Sequence, residues 1–325
     1  DKAISAYFNE EQMKMARFYN PYTGVRSEET GSIWMYTSSI EAVNAILHTL
    51  KTLKEHENNE LYNKHFDRYS KLLQKLHTNA AYYLGTFTLT SYTQTKEWTV
   101  YGVDRGTSKG TAKVDSIYNV YDDQEWLIRE LLEAYKLTNN RAYLSEAEYL
   151  TEYVLDGWDC VPDKDGNEYG GIPWGPGYVT KHSCSNGPMV SPLVWLHELY
   201  KGKEDEITHR YIDTDKSRKA IILKKSDYYL DFAKKIYKWQ KEHLLLSNGV
   251  YNDMMGGCDQ ECSVSYENIN GVTYRKHNRL RKSEGPPITY NSGTMLSGAA
   301  DLYRATGERI YLDDAQKLTE ASFSY

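Results

Sequence analysis

The chain has 325 residues, 40% of them hydrophobic, enough to bury the core of one large domain or two smaller ones. Its 39 basic and 45 acidic residues are well mixed and give a formal charge of -6, so there is no electrostatic footprint for a nucleic-acid partner. No stretch approaches the roughly 18–20 consecutive apolar residues of a membrane span, and no signal region is read at Asp1, so a soluble chain is expected.

Helical periodicity predicts helices over 3–19, 34–56, 61–84, 122–138, 141–157, 188–201, 218–244, 291–306 and 309–324. Ile40, Val43, Leu47 and Leu50 share one face of the second; Leu127, Leu131, Ala134 and Tyr135 share one of the fourth. Tyr143, Ala147, Leu150 and Val154 repeat the pattern, as do Tyr229, Phe232, Ile236 and Trp239. Between the third and fourth helices, Thr86–Thr90 alternates Thr with Phe87 and Leu89, the mark of a short hairpin. Strands are otherwise expected to be minor.

An internal repeat is visible. Tyr135, Thr138, Asn139, Tyr143, Leu144 and Ala147 recur as Tyr303, Thr306, Gly307, Tyr311, Leu312 and Ala315. In each copy a helix ends at Thr-Asn or Thr-Gly, where Asn or Gly takes the left-handed cap, and the next helix starts within a few residues. A degenerate third copy is split by an insertion, with Leu199 and Tyr200 on one side and Tyr229, Leu230 and Ala233 on the other. Connections 20–33, 85–121, 158–187 and 245–290 are long, 57–60, 139–140 and 307–308 are tight, and 202–217 is intermediate. Antiparallel neighbours therefore gather the long loops at one end, together with the N-termini of the helices they enter. Such hairpins form either an open solenoid or a closed ring; a ring is the better expectation, because its loop mouths converge on one depression. The domain expectation is one all-α domain over 1–325.

Tyr121-Asp122-Asp123-Gln124-Glu125-Trp126 stands where the longer central loop meets a helix and puts two carboxyls at that end. Glycoside hydrolysis needs one carboxyl to protonate the leaving oxygen and a second to attack the sugar or activate water. Neighbours on a helix have Cβ atoms about 5–6 Å apart, near the roughly 5–5.5 Å carboxyl separation of retaining enzymes. Two carboxylates so close repel, so one pKa rises and acid is separated from nucleophile. Taken alone, an Asp-Asp pair at a helix start is accounted for by capping and the helix dipole. Context is what makes it a catalytic candidate.

That context is chemical. The chain carries 30 tyrosines and 7 tryptophans against 6 phenylalanines, rings that suit sugar faces and hydroxyls or simply cover amphipathic helices. The Gly- and Pro-rich run Gly170–Tyr178 presents Trp174 and Tyr178 on a loop. Ser185-Asn186-Gly187-Pro188 and Tyr290-Asn291-Ser292-Gly293 each enter a helix; Asn186 and Asn291 either bond sugar hydroxyls or cap. Trp34, at the second helix, is a sugar platform or a core residue.

Asp163–Glu168 opens like a calcium loop but lacks its frame, so a turn is expected. Arg275, Lys276, Arg279, Arg281 and Lys282 are expected to form a solvated basic loop. Cys160, Cys184, Cys258 and Cys262 have neither zinc nor redox spacing; free thiols, or a disulfide such as Cys258 with Cys262 in an exported chain, both fit. No phosphate loop, HExxH or Ser/His/Asp arrangement is present, and neither metal nor cofactor is expected.

Tyr121-Asp122-Asp123 with Trp126, Gly170-Gly171-Ile172-Pro173-Trp174, Ser185-Asn186-Gly187-Pro188 and Tyr290-Asn291-Ser292-Gly293 with Leu302-Tyr303 and Thr306-Gly307 together resemble glycoside hydrolase family 76, the α-1,6-mannanases. The resemblance runs in family order from about residue 120 onward. It implies an (α/α)6 toroid and metal-independent retaining endo-hydrolysis of α-1,6-mannan, with Asp122 as nucleophile and Asp123 as acid/base. Tyr121, Trp34, Trp174, Asn186, Tyr290 and Asn291 would bind the substrate, mannan or manno-oligosaccharides. The loops 85–121 and 245–290 are longer than the family pattern, and nine helices fall short of six hairpins, so an incomplete C-terminal end is expected. A monomer exported to the periplasm or cell surface is expected, the latter from substrate size. Two alternatives remain: a transglycosidase of the same fold, and a non-catalytic helical glycan-binding module.

Overall fold

The computed structural model describes residues 1–9, 11–56, 59–259 and 262–325. Two compact units are formed, Asp1–Phe87 with Glu97–Thr151, and Thr88–Lys96 with Glu152–Tyr325. Among the described residues there are nine α-helices and thirteen short strands, the strands lying in the connections.

The first unit opens with α1 (Lys2–Tyr7), β1 (Phe8–Asn9), β2 (Lys14–Met15), β3 (Tyr19–Asn20) and β4 (Val25–Arg26). The expected helix over 3–19 is thus corrected: only its first turns are helical. Met13 takes φ 47°, a left-handed turn that no helix continues through, and Phe8 pairs back on Met15. Then come α2 (Ile33–Glu55) and α3 (Asn59–Ala80); of the turn expected at 57–60, Glu57 and Asn58 lie outside the described residues. Ser32 caps α2 by accepting from the Met35 N–H, and Ile33, Tyr36, Ile40, Val43, Leu47 and Leu50 form its buried stripe. The expected hairpin is β5 (Leu84–Thr90) with β6 (Thr95–Tyr101). After it come α4 (Tyr121–Thr138), packed on α2, and α5 (Arg141–Asp156).

In the second unit, β7 (Lys181–His182) precedes α6 (Gly187–Tyr200), which is buried nearly all round and packs against both α7 (Lys225–Leu244) and α8 (Thr289–Thr306). Gly298 on α8 permits close approach, since a Cβ there would stand 2.9 Å from Val190 Cγ1. β8 (Glu206–Ile212) and β9 (Arg218–Lys224) form a hairpin where 218–224 was expected to be helix. The run Ile221-Ile222-Leu223 favours a strand, and Lys216 at φ 65° turns the chain to pair it. The connection 245–290 holds β10 (Met254–Cys258), β11 (Tyr266–Ile269), β12 (Val272–Arg275) and β13 (Leu280–Glu284); β10 lies between β13 and β7. α9 (Arg309–Ser324) packs on α8.

The repeat extends to its hydrogen bonds. Asn139 (φ 59°) and Gly307 (φ 71°) end α4 and α8, their N–H groups donating to Tyr135 and Tyr303 carbonyls. Thr138 and Thr306 each donate to a carbonyl four residues back and accept from an N–H two residues on. No helix among the described residues is long and apolar enough to cross a membrane.

Candidate active site

In the first unit the candidate pair stands in the first turn of α4. The N-cap is Val120, whose side chain cannot cap, so neither aspartate occupies the capping position. Asp123 is buried, 6% exposed, whereas Asp122 is half-buried. Burial, and then the charge of Asp122 beside it, push the Asp123 carboxyl well above the usual range. One carboxyl of an adjacent pair is therefore set to keep its proton.

The turn is fixed from below. Gln124 is buried; its Oε1 accepts from the Tyr101 N–H at 3.1 Å and its Nε2 donates to the Tyr101 carbonyl at 2.8 Å. The Tyr101 hydroxyl donates to Glu146, which also meets His77 Nε2 at 2.8 Å. Further along α4, Asn44 Nδ2 donates to Glu130 Oε2 at 2.8 Å, and burial raises Glu130 to about 7. Tyr121 is buried, 1% exposed. Trp34 is 57% exposed in the first turn of α2, so the core-packing alternative does not hold for it.

Sequence reasoning passed over Glu125. It is fully buried, and among the described residues neither of its carboxyl oxygens has a hydrogen-bond partner. Burial, then the charge of Asp122, push it well above the usual range against the pull of Arg129. The signal was its spacing: three residues after Asp122, on the same helix face.

The second unit holds the other candidates. Gly170 and Gly171 have φ 71° and 78°, and a Cβ on Gly171 would meet Trp239 at 2.4 Å, so this turn requires glycine. Beyond them Trp174 lies against Tyr178 at 4.8 Å and stacks on His182 at 5.1 Å. Burial lowers the His182 pKa. Asn186 is fully buried and its amide is engaged inside the loop: Oδ1 accepts from the Ile172 N–H, and Nδ2 donates to the Ile172 and His182 carbonyls. Asn291 is buried too, Nδ2 donating to the Asn252 carbonyl at 3.3 Å while Oδ1 has no hydrogen-bond partner among the described residues. Tyr290 is half-buried.

Asp163–Glu168 is the expected turn, Asp163 Oδ1 accepting from the Asp165 and Asn167 N–H groups. No group of three or more His, Cys, Asp or Glu among the described residues could hold a metal. Cys258 and Cys262 form a disulfide. The basic loop is corrected at Arg275, which is 3% exposed and donates to the Pro176 and Tyr178 carbonyls. Arg279 and Arg281 remain exposed, paired with Asp259.

A sequence model described as glycosyl hydrolase family 76 matches residues 218–325. The chain is similar to the mannan endo-1,6-alpha-mannosidase DCW1 of Candida glabrata, with 26% identity over 180 residues, 55% of this chain and 31% of that protein. The match thus spans about a third of the curated relative. The solved structure of the family 76 mannosidase Bt3792 from Bacteroides thetaiotaomicron superposes with TM-score 0.64 at 20% identity, over 98% of this chain and 68% of that one. An inactive variant of the α-1,6-mannanase GH76A of Salegentibacter sp. HEL1_6, in which two consecutive aspartates are replaced by asparagine, was solved with α-1,6-mannotriose; it gives TM-score 0.55 at 20% identity, over 98% of this chain and 67% of that one. Those likenesses show the fold, the all-α (α/α)6 toroid class of antiparallel hairpins that the resemblance implied. With the sequence model that matches residues 218–325 and the motifs around Asp122, Trp174, Asn186 and Asn291, they make the chain similar to glycosyl hydrolase family 76.

Proposed function

We propose that the chain is a retaining endo-α-1,6-mannanase that hydrolyses the α-1,6-linked backbone of mannan through Asp122 and Asp123. The observation that carries the proposal is the unequal burial of two adjacent carboxyls on one helical turn, which separates a proton-holding group from a charged one. The mannanase relatives support the substrate, and the inactive double-aspartate variant among them supports the pair.

In the first step Asp123 gives its proton to the glycosidic oxygen as the C1–O bond breaks, while an Asp122 oxygen bonds to C1. The result is a mannosyl ester on Asp122 and a shortened chain with a new hydroxyl. In the second step water attacks C1, loses its proton to Asp123, and releases Asp122 as carboxylate. Two inversions at C1 return the α configuration. Trp174 supplies a ring face for a mannose unit, as exposed Trp34 does; Tyr121, Tyr290 and Asn291 offer hydroxyl and amide groups. Asn186 contributes by holding the Trp174 loop. The Cys258–Cys262 disulfide supports export to the periplasm or cell surface, where disulfides persist and a polymer is accessible.

The test is incubation with α-1,6-mannan. Short manno-oligosaccharides with rising reducing ends are expected, and Asp122→Asn and Asp123→Asn should each abolish release while leaving oligosaccharide binding intact. Chain transfer without new reducing ends would replace hydrolysis by transglycosylation; undiminished turnover in either variant would remove that aspartate from the mechanism.

A further inference from the structure

The loop carrying Trp174 has little regular structure, yet both of its flanks are gripped by one short stretch, 275–277. On the far flank Arg275 Nη1 donates to the Pro176 carbonyl at 3.0 Å and Nη2 to the Tyr178 carbonyl. On the near flank His277, two residues on, places Nδ1 2.7 Å from Asp159 Oδ2, and its ring lies flat against Tyr169 at 3.5 Å and 6°. The same Asp159 oxygen accepts from Lys181 Nζ at 2.7 Å, and Lys181 also donates to the Gly170 carbonyl. Asp159 is fully buried and Lys181 nearly so.

The gripping stretch is itself anchored. The Arg275 N–H donates to the Ser91 carbonyl at 2.9 Å, its guanidinium lies 5.4 Å from the Tyr92 ring, and the Lys276 N–H donates to the Ser265 carbonyl at 2.9 Å. Nearby Arg218 donates to the Tyr92 carbonyl at 3.2 Å and stands 4.2 Å from the Tyr274 ring. The hairpin turns 91–94 and 213–218 and the open end of the 266–275 hairpin thus brace one another behind the clasp.

We infer that Arg275 and His277 form a clasp that positions the Trp174–Tyr178 platform for sugar binding, Arg275 being the positioning residue. The inference rests on the proposed mannan-binding role of Trp174. Pro173 and Pro176 bring no N–H to the 170–178 loop, and the guanidinium fork offers its carbonyls two donors at a fixed spacing, which an ammonium cannot reproduce. Without the fork, the loop must be ordered anew each time sugar binds, and that cost falls on affinity rather than on bond breaking.

The test compares Arg275→Met and Arg275→Lys with wild type, reading KM and kcat on α-1,6-manno-oligosaccharides. It also reads calorimetric affinity for α-1,6-mannotetraose in an Asp122→Asn background. The expected result is that Arg275→Met weakens affinity by about tenfold or more and raises KM in parallel, with kcat within about twofold. Arg275→Lys should fold and fall between. Should Arg275→Met fail to fold, Arg275→Lys alone decides, an unchanged KM contradicting the clasp. Unchanged affinity in folded Arg275→Met, or a loss confined to kcat, overturns it, and a lowered melting temperature with wild-type KM leaves Arg275 merely structural. These outcomes presuppose a wild-type chain that binds the oligosaccharide; if it does not, the proposed function fails and the clasp's sugar role with it.

Discussion

Gln124 closes two hydrogen bonds on a single residue, Tyr101, accepting from its N–H at 3.1 Å and donating to its carbonyl at 2.8 Å. The end of β6 is thereby tied to the first turn of α4, and the turn that carries Asp122 and Asp123 cannot rotate without breaking both. Gln124→Met, of similar volume, leaves a buried main-chain N–H and C=O unpaired, each worth about 1–3 kcal/mol. Chemical denaturation should show a loss of about 2–4 kcal/mol. An unchanged midpoint would mean that water replaces the amide.

The raised pKa of Asp123 sets the alkaline side of the activity profile. The mechanism needs Asp123 protonated at the start, so kcat/KM should fall as pH rises through that raised value. The limb should lie well above the usual carboxyl range. A limb at an ordinary aspartate value would remove Asp123 as the acid.

Glu125 and Asp123 also destabilise the fold as they ionise. Both bind protons more tightly folded than unfolded, so their contribution is fully present below the unfolded pKa and lost as pH rises through the folded one. Glu125→Gln stays neutral at every pH. Its melting temperature should match wild type in acid and exceed it at alkaline pH, where wild type must bury a charge. A variant less stable than wild type at alkaline pH would show that the ionised carboxylate has a stabilising partner.

Asp159 works in the opposite sense. Burial alone would raise its pKa, but Lys181 and His277 hold it below the usual range, so its stabilisation is present above the unfolded pKa and lost as pH falls through the folded one. Asp159→Asn leaves Lys181 buried without its counter-charge and should cost about 3–5 kcal/mol. Asp159→Asn paired with Lys181→Met should recover much of that loss in a double-mutant cycle; strictly additive losses would show no coupling.

The hairpin repeat was legible because Thr138-Asn139 and Thr306-Gly307 announce left-handed helix ends locally, and the cap geometry follows from residue type. The Thr86–Thr90 alternation foretold β5 for the same reason. Residues 3–19 and 218–224 misled: helical spacing of apolar residues does not reveal the left-handed turn at Met13 or the pairing of Ile221–Leu223 with β8. At the site, Asp122 and Asp123 were readable as neighbours, but Glu125 looked like a solvated helix residue, since burial depends on what packs across α4. Asn186 and Arg275 act on carbonyls 14 and 99 residues away, respectively, and nothing local marks such a partner.

The central claim is double displacement through Asp122 and Asp123, and the anomer released first tests it most directly. Proton NMR, begun within seconds of mixing enzyme with an α-1,6-manno-oligosaccharide, should show the α-anomer first, with the β-anomer growing only as mutarotation proceeds. If the β-anomer appears first, water attacks C1 directly, and Asp122 is not the nucleophile.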